Sequence, residues 1–392
     1  MIYIHLYGTA AEHDAVYHGP SYEEPWLALQ SDTDTVTYNS PHTPADDYLT
    51  FSAIESGTFS LSANASFYSV DDGETWTELP AGESTPQINA GQKVLWKAEI
   101  APTSSAGVGT FSATGDFDVT GNPLSMLYGD NYRGVRDLTG KDHAFKQMFK
   151  NNTHVVNASE MSLAATTLSS GCYESMFEAC TSLVTAPELP AMTATTQCYK
   201  LMFATCRSLL RTPALPATTL AYACYDEMFA QCSSLTSSPE LPATQMAQLC
   251  YYGMFSECSS LTTPSVLHST QLEIACYFAM YNSTAIEVAP ALPATSLPER
   301  CYMLMFYGCP NLRVTPDITV TGDFKEMCFR QMYQNSPNVS SVRVDVDTTI
   351  SYGYAQDWLT GCAPTGTVYC RYIDTQGSSS VLPSGWTQAP LS

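Results

Sequence analysis

The sequence predicts an α/β solenoid of about eight 26-residue strand–helix repeats, preceded by a small all-β, sandwich-like domain. Three observations carry this reading. The signature Cys-Tyr-x-x-Met-Phe-x-x-Cys-x-x-Leu, or a close variant, is led in turn by Cys172, Cys198, Cys224, Cys250, Cys276, Cys301 and Cys328. The leads lie 26, 26, 26, 26, 25 and 27 residues apart, and self-similarity at a fixed period marks units that bury their apolar faces only by stacking. Upstream of the repeats, short runs of β-formers alternate with Gly and Asp turns, the pattern of a small antiparallel domain.

Residues 1–45 hold Tyr, His, Pro and Asp with weak periodicity. They read either as an arm that docks on another protein and orders there, or as an irregular first subdomain. His5, His13, His18 and His42 lie here with Glu12 and Asp14. Imidazole and carboxylate suit several divalent ions, but no i, i+4 pair is present, so no metal site is assigned. Met1-Ile-Tyr-Ile-His-Leu-Tyr lacks a basic region, a sustained apolar core and a small-residue cleavage site. It is expected to be neither a secretory signal nor a lipoprotein anchor.

Residues 46–125 are expected to form the β-domain. Its strands are Tyr48–Ile54, Thr58–Ser62, Phe67–Val70, Lys93–Ala98 and Thr110–Thr114, enough for a sandwich or barrel. Within it, Ser69-Val-Asp71-Asp72-Gly73-Glu-Thr-Trp76 matches the Asp-box pattern of glycan-active proteins. Turn chemistry explains it without catalysis: Asp and Ser bond the turn backbone while Trp packs beneath. Asp46-Asp47 and Asp71-Asp72 lack the ordered alternation of a calcium loop.

Residues 126–345 are the expected solenoid. In the copy from Thr218 to Leu241, Leu220, Cys224, Met228 and Cys232 are spaced by four, with Tyr225 and Phe229 beside them. This spacing predicts one helix face, with Thr218 as its N-cap. The proline-punctuated stretch from Leu235 to Pro242 predicts a short strand and a turn. An eighth, degenerate copy places Ala144-Phe145 and Met148-Phe149 at the Cys-Tyr and Met-Phe positions. Strand plus helix in this length falls in the leucine-rich-repeat range. If the repeats are helices, cysteines within one lie about 12 Å apart and those on neighbours about 8–10 Å. Both exceed disulfide reach, so the thiols are expected to be free, small buried hydrophobes. Cys362 and Cys370 flank a Pro-Thr-Gly turn and could meet across a hairpin. Residues 346–392 lack the repeat and are read as a C-terminal cap, with Trp358 and Trp386 supplying the buried area.

The repeat resembles the BspA-like leucine-rich repeats of gut Bacteroidetes and the bacteriophages that infect them. The matching residues are Cys-Tyr-x-x-Met-Phe-x-x-Cys-x-Ser-Leu at Cys224 to Leu235 and Pro-x-Leu-Pro-Ala-Thr at Pro239 to Thr244. The resemblance covers roughly residues 140–345. Later copies depart from it: Thr284 and Ser336 replace the second Cys, Tyr281 and Tyr333 replace Phe, and His268 replaces the turn proline.

The formal net charge is −22, unevenly placed: −15 over residues 1–139, −4 over 140–344 and −3 over 345–392. Such acidity disfavours nucleic acid and anionic membranes as partners. No nucleophile elbow, phosphate-binding loop, His-Glu-x-x-His or dinucleotide glycine pattern occurs, so neither an enzyme nor a cofactor is expected. The resemblance implies a non-enzymatic virion surface protein, a tail or head fibre or decoration. It would meet other virion proteins through its N-terminal region, bind host glycan or protein through its repeats, and assemble as a homo-oligomer. A bacterial cell-surface adhesin lacking its export signal is the alternative. A glycan-processing enzyme is a third, resting on the Asp box alone. The expected binding surface follows each repeat Leu, where Ser and Thr dominate: Thr236 and Thr262, with Arg211 and Arg313 as the exceptions.

Overall fold

The signature segments of this computed structural model, which describes residues 47–103, 107–375 and 380–391, are ribbons of overlapping turns. The helix expectation is overturned there. Across Cys224–Cys232, the N–H groups of residues 224, 226, 228, 230 and 232 donate three residues back, at 3.1–3.4 Å. Those of Tyr225, Glu227, Phe229 and Gln231 donate instead to the carbonyls of Cys250, Tyr252, Met254 and Ser256 in the next repeat, at 2.7–3.0 Å. The carbonyls of residues 224, 226, 228 and 230 accept from Tyr199, Leu201, Phe203 and Thr205 of the preceding one. The backbone polar groups of the ribbon are thereby paired, half locally and half between repeats. We call each such segment a rung.

The ribbon repeats every four residues, where a helix repeats every 3.6. Ala223, Glu227 and Gln231 mark the period with φ of 51°, 51° and 62°. Thr218 therefore caps no helix. Rungs stack in register, so identical side chains form columns. Tyr173, Tyr199, Tyr225, Tyr251 and Tyr277 stack with ring centroids 5.6–5.9 Å apart and planes within 7°. Phe177, Phe203, Phe229 and Phe255 form a second column at 5.6–5.7 Å. These offset stacks add to the apolar burial.

Before the array, β1 (Leu49–Ala53), β2 (Phe59–Leu61), β3 (Ser66–Ser69), β4 (Thr77–Leu79), β5 (Lys93–Lys97), β6 (Phe111–Ala113) and β7 (Phe117–Thr120) form the β-domain. The sequence singled out five of these and missed β4 and β7. A short helix, α1 (Ser125–Tyr128), leads to β8 (Val155–Asn157) inside the first repeat. One sheet runs β4-β3-β5-β1-β7-β8, and β2 pairs with β6. β8 joins it parallel to β7, so this sheet passes from the domain into the array. β6 closes the array's first rung. Val108 and Phe111 donate their N–H groups to the Ala144 and Met148 carbonyls at 3.0 and 2.8 Å, and Phe111 stacks on Phe149 at 5.8 Å.

At the other end, β9 (Asp317–Val320), β10 (Ser341–Val346), β11 (Gly366–Tyr369) and β12 (Trp386–Ala389) form a parallel sheet in the order β12-β11-β10-β9. The segment read as a cap without the repeat holds a further rung. Phe329, Gln331, Tyr333 and Asn335 donate to the carbonyls of Tyr354, Gln356, Trp358 and Thr360 at 2.8–3.0 Å. Trp358 occupies the Met position and Cys362 that of the second Cys, while α2 (Tyr352–Ala355) opens the rung. Both tryptophans are buried, and their ring N–H groups donate to the Val381 and Ala363 carbonyls. One hydrophobic core runs from Leu49 to Trp386.

Candidate functional site

After the buried leucine of each rung the chain re-enters a column of parallel single-residue bridges. These link Asn157 to Thr185, Thr185 to Arg211, Ser237 to Thr263, and Val288 to Val314. The strand expected here is complete only at β8 and again from β9 onwards. The structure places Arg211, Thr236, Thr262 and Arg313 along this column, and all four are exposed. Thr262 donates both its N–H and its hydroxyl to the Thr236 carbonyl, at 3.0 and 3.2 Å, which fixes the two threonines in file. Arg313 pairs with Glu287 at 3.0 Å. Arg211 has no ion pair among the described residues. Arg207, four residues earlier on the same rung's corner, was not singled out by the sequence reading. Its signal was available: the equivalent positions hold Thr181, Ser233 and Ser259.

Several charges on the turn ribbons are paired in place. Lys146 meets Glu174 at 3.1 Å, Lys150 meets Glu178 at 2.8 Å, and Lys200 meets Asp226 at 2.6 Å. Burial pushes the Asp226 carboxyl up from its ordinary range, against the pull of Lys200. Beyond Asp226 the same column turns aromatic, with Tyr252 and Phe278 stacked at 4.6 Å.

The Asp box is a turn, as its chemistry dictates. Ser69 donates its hydroxyl to Asp71 at 2.6 Å and accepts the Gly73 N–H at 2.9 Å. Asp71 accepts the Thr75 N–H at 2.9 Å and its hydroxyl at 2.5 Å. These bonds hold its carboxyl down at about 2. Trp76 meets Tyr48 in an edge-type contact at 5.0 Å and the Lys97 ammonium at 4.2 Å. Lys97 in turn meets Asp130 at 2.8 Å.

The fourteen cysteines are free, but not for the reason the helix geometry suggested. Columns spaced like the aromatic stacks bring equivalent thiols closer than helix axes would. Burial suppresses the reactive thiolate, pushing Cys198, Cys250 and Cys258 up to about 12, and thiolate is the species that exchanges. Cys362 and Cys370 do not face each other across a hairpin, because β11 pairs in parallel with β10 and β12. His5, His13, His18, His42 and Asp46 lie outside the described residues. Among the described residues, no three His, Cys, Asp or Glu side chains gather as a metal-ligand set, and no helix is long and apolar enough to cross a membrane.

No family model matches the chain, nor does any curated protein or solved structure.

Proposed function

We propose that the chain is a non-enzymatic surface protein of a bacteriophage virion, a tail or head fibre or decoration. Its array is a variant leucine-rich repeat of the BspA-like kind that binds the host surface. The N-terminal region joins other virion proteins, and the protein assembles as a homo-oligomer. The observation that supports this reading is the exposed column of Thr185, Arg211, Ser237 and Thr263. Hydrogen bonds between rungs hold it: the Thr185 hydroxyl donates to Asn157, while the side chains of Arg211, Ser237 and Thr263 remain available to a partner. Long stacked arrays offer extended contact area, and hydroxyls and guanidinium groups supply directional donors.

The test combines two measurements on phage particles that carry the gene. Antibody raised against the array should label intact virions in electron micrographs, and soluble protein should compete with them for adsorption to host cells. Unlabelled particles, or adsorption indifferent to saturating protein, would sink the proposal.

A further inference from the structure

Arg207 and Arg211 differ from most of the array's cations: Lys141 and Arg330, which likewise meet no carboxylate among the described residues, are half-buried, and Arg136 bonds the neighbouring Val135 carbonyl. Lys146, Lys150, Lys200, Arg300 and Arg313 each meet a carboxylate within 3.1 Å. Arg207 and Arg211 have no carboxylate partner among the described residues, although the chain carries 38 acidic groups against 16 basic ones. Both are exposed. The chain turns between them, with the Leu209 N–H on the Cys206 carbonyl at 3.1 Å and the Leu210 N–H on Val184 at 3.2 Å. Arg207 therefore stands on the corner and Arg211 on the bridged column.

We infer that this corner is an anion-binding site for an acidic glycan, with Arg207 and Arg211 receiving its carboxylate or sulfate groups. The inference deepens the surface-protein reading and rests on it. A guanidinium is weakly hydrated and presents a planar fork that fits such anions two bonds at a time. An exposed, unpaired guanidinium loses no internal partner when an anion arrives. The surroundings favour a glycan over an acidic protein. Thr185 precedes Arg211 in the column, and Thr236, Ser237, Thr262 and Thr263 follow, all exposed. Short hydroxyl side chains repeated rung by rung suit a linear, hydroxyl-rich polymer lying along the array.

The experiment measures binding of the full chain to oligogalacturonate, oligoalginate and chondroitin sulfate. Methyl-esterified oligogalacturonate and polyglutamate serve as comparisons. The double variant Arg207→Ser/Arg211→Thr takes residues that neighbouring rungs carry at these positions, so the fold is expected to persist; circular dichroism checks this. At least one acidic glycan should bind, its neutral ester should not, and the double variant should lose about tenfold or more in affinity, as expected for charge-assisted pairs. Added salt should weaken the interaction. Failure of all three glycans, undiminished binding by the folded double variant, or tighter binding of polyglutamate would each overturn the inference. Virions carrying the double variant separate the two readings. If antibody still labels them and they adsorb as before, the arginine site falls and the surface-protein reading stands.

Discussion

The second cysteine of each rung donates its thiol to a carbonyl in the rung before. Cys206 reaches Phe177, Cys232 reaches Phe203 and Cys258 reaches Phe229, at 3.0–3.1 Å. A thiol is a weak donor, yet the position keeps a donor where cysteine is replaced. Ser336 bonds the Phe306 carbonyl at 2.8 Å, and Asn152 bonds that of Phe111 at 3.0 Å. Thr284 turns to the carbonyl of its own Tyr281, at 2.9 Å. What the sequence shows as decay preserves a hydrogen bond that composition alone reads only as burial. The tyrosines that replace phenylalanine split differently. The Tyr281 hydroxyl accepts the buried Ser265 N–H at 3.0 Å, whereas the Tyr333 hydroxyl is buried without a partner among the described residues. Tyr281→Phe should therefore cost about 1–3 kcal/mol by stranding that N–H, while Tyr333→Phe should be neutral or stabilise by about 1 kcal/mol. Urea denaturation of the two variants checks the ordering; a larger loss at Tyr333 would refute the assignment of partners.

At the scale of the element, helix and turn ribbon place the same residues inside. Over nine residues, a four-residue period and a 3.6-residue period differ by about 80° of helical phase. Cys224, Met228 and Cys232 fit either. The repeat, its register and its buried face were thus legible, and the backbone conformation was not. The signal lay on the other positions. Every fourth residue takes positive φ, and Gly171, Gly253 and Gly308 sit at such places with φ of 58°, 54° and 64°. Arg207 escaped notice for a related reason: the repeat motif directs attention to what recurs, and Arg207 is informative because its counterparts are Thr and Ser. Gln231 discriminates the two backbones. In a helix it would lie off the Cys224–Cys232 face and be exposed, whereas it is half-buried at φ 62°. In a helix, Gln231→Gly would cost roughly 1 kcal/mol. In the ribbon it should be neutral or stabilising, because glycine adopts this conformation without strain. Gln231→Val should cost about 1–2 kcal/mol, the penalty of a left-handed conformation for a side chain branched at Cβ. Thermal melts of both variants decide: a Val form more stable than the Gly form would reject the ribbon.

For the whole molecule, the ends matter more than the middle, since each interior rung is satisfied by identical neighbours. The strand and repeat patterns divide the chain into a β-domain and an array, and a sequence reading cannot see that they share one core. His154 pairs with Asp116 at 2.8 Å, β7 pairs in parallel with β8, and Phe51, Phe111 and Phe149 form one aromatic cluster with centroids 4.9–5.8 Å apart. Without the β-domain, the faces of Phe145 and Phe149 and the Ala144 and Met148 carbonyls would open to water. A repeat array needs its terminal apolar face covered to stay soluble. A fragment beginning at Leu138 should therefore aggregate, or lose protection in its first rungs, while one beginning at Asp47 should remain a folded, soluble chain. Hydrogen exchange locates the effect. Amides of Phe145, Gln147 and Phe149, which donate to the next rung at 2.7–2.9 Å, should exchange fast in the shorter fragment, and those of Phe229 and Gln231 slowly in both. Equal protection of the first rung in the two fragments would show that the array closes itself and that the β-domain is only appended to it.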